Sequence, residues 1–160
     1  MAQNTLSRRR LIGFGACAVA GVGLTVTSSA RSQAGPSART EQVLRRWYKT
    51  WEQEKHDWRP FDALLTDDFT FSSAAGDDHI SKSTFKTKCW DTQIALVDRL
   101  ELERVVAHDN WAFAKYLCRT KNGKSFRNVE YLQINGTRIE AIECYFGGKD
   151  TYPSAVSNAT

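Results

Sequence analysis

Glu130 is the residue of this 160-residue chain whose position most suggests chemistry. It lies in the middle of a strand-like run at 124–134, where side chains alternate between two faces with period two. Its neighbours on one face are largely apolar: Phe126, Asn128, Leu132 and Ile134. A carboxyl group in such surroundings should have a raised pKa and could act as an acid or base near neutral pH. The alternative is a cross-strand ion pair with Lys115 or Arg119.

His79 is the second candidate for proton transfer. It follows Asp77 and Asp78, whose carboxylates could raise the pKa of the imidazole and orient its ring. If the fold brings this segment to the mouth of a cavity, an Asp–His pair there could exchange protons with Glu130. The alternative is a solvated loop histidine beside two exposed acids.

The spacing of cysteines and histidines gives no sign of a metal site, and no cofactor is expected. The chain contains neither Cys-x-x-Cys nor His-x-x-x-His. Cys118 and Cys144 occupy the first and third of three strand-like runs, so an intervening strand would hold them roughly 9–10 Å apart, too far for a disulfide. We expect these two cysteines and Cys89 to be small, buried apolar residues.

Residues 1–34 have the layout of an export signal. Three arginines, 8–10, precede a moderately apolar, glycine-containing run, 11–26, and small residues suited to cleavage follow it. The arginines resemble a twin-arginine leader, which would place the mature protein in the periplasm or outside the cell; a Sec signal is the alternative. The run of 16 residues is shorter than the ~20 that span a bilayer, so we expect membrane contact only during export.

The excess positive charge of the chain belongs to this leader. The whole chain has 22 basic and 18 acidic residues, and residues 1–34 hold four arginines and no acid, which leaves 18 of each. A neutral mature protein gives no electrostatic reason to expect nucleic acid as a partner. We expect a linker at 35–39, one domain at 40–148 and a flexible tail at 149–160.

Helices are predicted in the first half of this domain. Between Thr40 and Lys55, apolar residues recur on one helical face: Val43, Leu44, Trp47, Tyr48 and Trp51. Pro60 suits the first turn of a second, short helix. Ser83 is predicted to cap a third helix that ends at Trp90. Trp47 and Trp90 are the aromatic residues that we expect to frame a cavity.

Strands are predicted in the second half, after a short strand at 69–72. Runs at 99–107, 111–121, 124–134 and 137–147 follow, and Asn122-Gly123 and Asn135-Gly136 separate the last three. Asn-Gly favours two-residue hairpin turns in which both residues take positive φ. The chain is therefore predicted to be α+β: a cone-shaped half-barrel in which three N-terminal helices pack on a curved antiparallel sheet. A cavity between the helices and the concave sheet face is the usual place for a ligand.

Four segments carry a family resemblance. They are Val43–Trp47, Asp62–Phe71, Tyr131–Gly136 and Ile142–Gly147. They resemble the nuclear transport factor 2-like superfamily, in its branch of SnoaL-like polyketide cyclases and ketosteroid isomerases, and the resemblance covers about residues 40–148. It implies a fold shared by isomerases, dehydratases, cyclases, epoxide hydrolases and noncatalytic binders.

The resemblance also implies roles for single positions. A ketosteroid isomerase base would stand at Ser73, its tyrosine on or beside Trp47 with Tyr48 next, and its protonated acid at Glu130. Serine cannot act as that base, so isomerase activity of this type is not expected. The acid/base carboxylate of the cyclase branch lies on the sheet, where Glu130 could take its place.

The sequence thus predicts an exported protein that binds a small apolar or aromatic molecule. If it is an enzyme, we expect a cofactor-independent lyase, isomerase or cyclase with Glu130 and His79 as catalytic residues. The predicted ligand-binding residues are Trp47, Tyr48, Ser73, Trp90 and Asn128. The alternatives are a noncatalytic binding module and a homodimer formed through the outer sheet face, to which Tyr116, Tyr131 and Arg127 could contribute.

Overall fold

A computed structural model describes residues 35–53 and 55–147; the predicted export signal and tail lie outside them. The helices are α1 (Pro36–Gln53), α2 (Trp58–Leu64), α3 (Lys82–Phe85) and α4 (Asp91–Leu96), with a π-helical turn at Lys86–Trp90. The strands are β1 (Leu65–Ser73), β2 (Ile80–Ser81), β3 (Val97–His108), β4 (Trp111–Thr120), β5 (Ser125–Asn135) and β6 (Arg138–Phe146). None of the described helices is both long enough and apolar enough to cross a membrane.

The six strands form one mixed sheet in the order β2-β1-β6-β5-β4-β3. Strands β3 to β6 form the predicted antiparallel meander. Strand β1 departs from the all-antiparallel prediction because it pairs in parallel with β6, with Phe71 opposite Ile142. The chain between β1 and β6 passes through β2, the helices α3 and α4, and the strands β3 to β5, so no hairpin joins β1 to β6 and the two can run in the same direction.

Both Asn-Gly pairs lie at hairpin turns, but only their glycines take positive φ, +83° at Gly123 and +64° at Gly136. The first loop has three residues, closed by the bond from the Thr120 N–H to the Lys124 carbonyl at 2.9 Å. The second has two, because Asn135 pairs with Arg138. The strand ends at these two turns were therefore predicted to within one residue, although the turn type was not. Strands β1 and β3 start four and two residues earlier than predicted.

The helices start earlier than predicted. Helix α1 begins at Pro36, within the predicted linker, since proline fits a first helical turn. Helix α3 is capped by the Ser81 side chain, which accepts from the Thr84 N–H, rather than by Ser83. The predicted third helix continues past Trp90 through α4 to Leu96.

The core lies between the inner sheet face and the helices. All five apolar residues of the predicted α1 face are buried. Phe61 of α2 is at the centre of an aromatic cluster, with ring centroids 5.3 Å from Trp47, 5.0 Å from Trp51 and 5.6 Å from Trp90. These large side chains fix α1 and α2 on the sheet.

Candidate functional site

A small cavity lies between α1, α4 and the inner sheet face. Its wall includes six large apolar aromatic residues: Trp47, Trp51, Phe71, Phe85, Phe126 and Phe146. Its polar lining residues are Gln93, Tyr116, Asn128 and Glu130. The cavity volume is about 30 Å³, which gives room for about two water molecules.

Glu130 is buried in the wall of this cavity, at 9% exposure. The Tyr48 hydroxyl donates to its Oε2 at 2.7 Å, and the Tyr116 hydroxyl donates to its Oε1 at 3.1 Å. The alternative of an ion pair with Lys115 or Arg119 is wrong. Lys115 pairs instead with Glu103 and Arg119 with Glu101, because both cations point to the outer sheet face.

Burial controls the protonation of this group. Loss of water raises the pKa of Glu130 above its ordinary 4.5, and the hydrogen bonds from Tyr48 and Tyr116 only partly oppose the shift. Burial first, and the nearby carboxylate in addition, raise the pKa of both tyrosines well above 10.0. Both tyrosines therefore keep their protons and act as donors, while Glu130 is the group that can exchange one.

Asn128 extends the hydrogen-bonded network into the cavity. Its Nδ2 donates to the Tyr116 hydroxyl at 3.3 Å. Because the single Tyr116 hydroxyl hydrogen points to Glu130, the hydroxyl oxygen must accept here, and this fixes the orientation of the amide. The other end of the amide, Oδ1, is buried and receives no donor from the described residues.

The three cysteines of the described segments are free; Cys118 and Cys144 are buried, as predicted, whereas Cys89 is only partly buried. Cys118 on β4 and Cys144 on β6 are separated by β5. Burial raises the pKa of Cys118 to about 12 and that of Cys89 to about 11. The Cys144 thiol lies 3.9 Å from the Tyr116 hydroxyl, and burial, then Glu130, raise its pKa as well. These thiols therefore remain protonated.

Three of the predicted site residues meet at Glu130, and three do not. Trp47 and Asn128 line the cavity, and Tyr48 holds the carboxyl group. Trp90 is buried in the aromatic cluster instead, because the π-helical turn points its ring at Trp58, 5.2 Å away.

Ser73 and His79 lie away from the cavity. The Ser73 hydroxyl donates to Asp77 at 2.8 Å, and its N–H donates to the Asp77 carbonyl at 2.9 Å. These bonds close the loop on itself and leave His79 exposed, with its Nδ1 against Asp78 and a φ of +47°. The structure thus does not bring His79 to Glu130, and a proton relay between them has no geometric support.

Tyr116 is the site residue that sequence reasoning misplaced. It was expected on the outer sheet face, whereas it is buried on the inner one, opposite Asn128. The alternation of Ala112, Ala114 and Cys118, all buried, was the signal that could have placed it.

Neither the cavity nor its surroundings offers a metal site. Within residues 35–53 and 55–147, no three His, Cys, Asp or Glu side chains are grouped closely enough to hold an ion. The arrangement can instead bind a small molecule beside one protonatable carboxyl group.

Comparison with known proteins supports the fold. The profile of the SnoaL-like domain family matches residues 44–142, whereas no curated protein matches the chain. An LEH-like epoxide hydrolase of M. tuberculosis has 14% identity, covering 77% of this chain and 93% of that chain, with a TM-score of 0.60. An NTF2-like protein of unknown function from Mesorhizobium loti has 18% identity, with coverages of 72% and 97% and a TM-score of 0.58.

A third similar structure contains a ligand. It is a protein with a ketosteroid isomerase-like fold from Catenulispora acidiphila in complex with trimethylamine. It has 10% identity, covering 69% of this chain and 88% of that chain, with a TM-score of 0.56. At these identities the likeness of the three structures establishes the fold alone.

Proposed function

This chain belongs to the SnoaL-like domain family, and from that premise we propose that it binds a small, largely apolar molecule at Glu130 and acts on it by acid/base catalysis. One observation carries the proposal: a buried carboxyl group faces an aromatic-walled cavity, with no ion pair to it in the described part of the chain. The fold is shared with hydrolases and with proteins of unknown function, so the reaction must be argued from the site.

The two tyrosines suit Glu130 to proton transfer. In the ionised form, each carboxylate oxygen accepts one hydroxyl hydrogen, from Tyr48 or Tyr116. In the neutral form, the carboxyl group has a hydrogen of its own to donate. A raised pKa brings these two forms closer in free energy near neutral pH, which is what a general acid or base requires. Removal and return of one proton is the chemistry of a cofactor-independent lyase, isomerase or cyclase.

Binding of more than two water-sized groups requires the cavity to open. Helix α4 is the wall that can move, because none of its residues is buried although Gln93 and Leu96 line the cavity. It follows the π-helical turn, a form of helix that often occurs at functional sites. We propose that displacement of α4 admits the ligand.

Native mass spectrometry of the full-length protein tests the proposal. Protein purified without denaturation should carry a small molecule, which can be released and identified. Glu130→Gln should reduce turnover of that molecule at least ~100-fold, the usual contribution of an acid/base group. Glu103→Gln, on the outer sheet face, is the matched control and should have no effect.

Other outcomes of this experiment separate the alternatives. A molecule that binds to both variants equally and is never transformed would support a noncatalytic binding module. Equal turnover by Glu130→Gln and the wild-type protein would contradict the catalytic role of the carboxyl group.

A second role, as a homodimer, is favoured by the outer sheet face. Val106, Phe113 and Tyr145 are 52%, 41% and 51% exposed there, and the Phe113 ring lies 5.2 Å from that of Tyr131. A contiguous exposed apolar patch is a feature that marks protein–protein interfaces. Sedimentation equilibrium would show the dimer.

We also propose that the chain is exported, on the basis of the arginine-led apolar segment within residues 1–34.

A further inference from the structure

The cavity has hydrogen-bond acceptors but no matching cation. Its only acidic lining residue is Glu130, and no Lys, Arg or His of the described segments lines it. Buried carboxylates are normally paired with a cation or a metal ion. The two tyrosine hydroxyls hydrogen-bond to Glu130 but bring no charge. Within residues 35–53 and 55–147, the ionised site therefore has no counter-ion on the side that faces the cavity.

Asn128 adds a second, independent sign of the same ligand chemistry. Asn128 lines the cavity and is only 4% exposed, and no described group donates to its buried Oδ1. An unsatisfied buried acceptor of this kind costs free energy until a donor reaches it. Glu130 and Asn128 lie on one face of β5, two residues apart, so one ligand group can reach both.

The remaining wall also suits a cation. Trp47, Trp51, Phe85 and Phe126 line the cavity, and the face of an aromatic ring attracts a positive charge. An anionic ligand would meet a carboxylate and aromatic rings, with no cation from the described part of the chain to offset them. Anionic substrates are therefore disfavoured by the same groups.

We propose that the cavity, once displacement of α4 has opened it, selects a small alkylammonium group, whose N–H bonds go to the Glu130 carboxylate and to Asn128 Oδ1 and whose alkyl groups contact the aromatic wall. This inference rests on the proposed function of the cavity as a ligand site and specifies the class of its ligand. Asn128 is then a specificity-determining residue: its Oδ1 favours ligands that donate a hydrogen bond and disfavours ligands that can only accept one.

Three probes that share a tert-butyl group and differ in charge test the inference: tert-butylammonium, tert-butanol and pivalate. Each is titrated into the full-length, ¹⁵N-labelled protein, and binding is followed by the indole N–H signals of Trp47 and Trp51. The signal of Trp111, which packs against Phe113 on the outer face, is the internal control and reports that the fold is intact. We expect tert-butylammonium to bind about tenfold more tightly than tert-butanol, and pivalate not to bind.

Variants at Glu130 and Asn128 test whether these two residues cause the preference for tert-butylammonium. Glu130→Gln should reduce the ratio of tert-butylammonium to tert-butanol affinity to near one. Asn128→Leu should weaken tert-butylammonium about fivefold to tenfold, and Asn128→Ala replaces it if the leucine variant does not fold. Pivalate binding as tight as that of tert-butylammonium, or an unchanged ratio in Glu130→Gln, overturns the inference while ligand binding stands. If none of the three probes binds, the proposed function of the cavity fails as well.

Discussion

Glutamates on the two faces of one sheet have opposite surroundings. On the outer face, Glu103 pairs with Lys115 at 3.2 Å and with Arg127 at 2.8 Å, and these two cations lower its pKa below 4.5. On the inner face, Glu130 has hydroxyl donors but no cation among the residues that the structure describes, and burial raises its pKa. Position on a strand therefore does not decide whether a carboxyl group can act as an acid or base. A neighbouring cation decides it, because the cation lowers the pKa and the carboxylate then no longer takes up a proton near neutral pH.

The largest difference between the two faces should appear when each carboxyl group is removed. Glu130→Leu keeps the approximate volume but leaves two buried hydroxyls, those of Tyr48 and Tyr116, without their acceptor. We expect a loss of about 2–4 kcal/mol in the free energy of unfolding, measured by urea denaturation at neutral pH. Glu103→Leu should change stability far less, because water can solvate Lys115. Equal losses in the two variants would show that the faces do not differ in this way.

A smaller difference should separate two Tyr–Glu hydrogen bonds. Tyr116→Phe removes a buried hydroxyl that donates to Glu130 and accepts from Asn128, so it should cost about 1–3 kcal/mol. Tyr145→Phe removes the bond to Glu143, made at 2.7 Å on the exposed face, and should have no measurable effect because water replaces it. The same denaturation assay compares them, and a larger cost for Tyr145→Phe would refute the contrast.

The pH dependence of stability should have opposite signs on the two faces. The native state keeps the Glu130 proton to higher pH than the unfolded chain does, so the stability from this group is full below pH 4.5 and is lost as the pH rises through its raised pKa. Relative to Glu130→Gln, the wild-type protein should therefore lose stability above pH 4.5, by at most about 1.4 kcal/mol per pH unit.

The control for this measurement is Glu103→Gln. The pKa of Glu103 is lowered, so its contribution is present above pH 4.5 and is lost as the pH falls through the lowered value. Relative to that variant, the wild-type protein should lose stability on acidification. A difference between wild type and Glu130→Gln that does not change with pH would mean that Glu130 does not titrate differently in the folded state.

The inner position of Glu130 could be predicted because strand alternation is local. The Asn-Gly pairs bounded β5, and period two then placed Glu130 with Asn128 and Leu132 on the inner face. The spacing of Trp47 and Trp51 likewise placed α1 on the core, and the family resemblance supplied the expectation that Tyr48 lies at the site.

The partners of Glu130 could not be predicted with the same certainty. Tyr116 reaches it only through the register of β4 against β5, which depends on the three-residue loop between them. The parallel pairing of β1 depends on a contact distant in sequence, with β6. His79 was misplaced because loop hydrogen bonds, which composition does not reveal, turned it to the solvent. The size of the cavity depends on side-chain packing, which no sequence pattern describes.

The π-helical turn at Lys86–Trp90 would allow deletion of a single residue to change which side chains line the cavity. Such a turn contains one residue more than an α-helical turn, so it is the form that a helix takes when it absorbs a single insertion. Loss of one exposed residue, such as Thr87, would restore ordinary spacing and rotate α4 by about 100° about its axis. Gln93 would then leave the cavity and another side chain would cover it. A change of one codon in length could thus alter which molecules the protein accepts while Glu130, the tyrosines and the aromatic wall stay as they are.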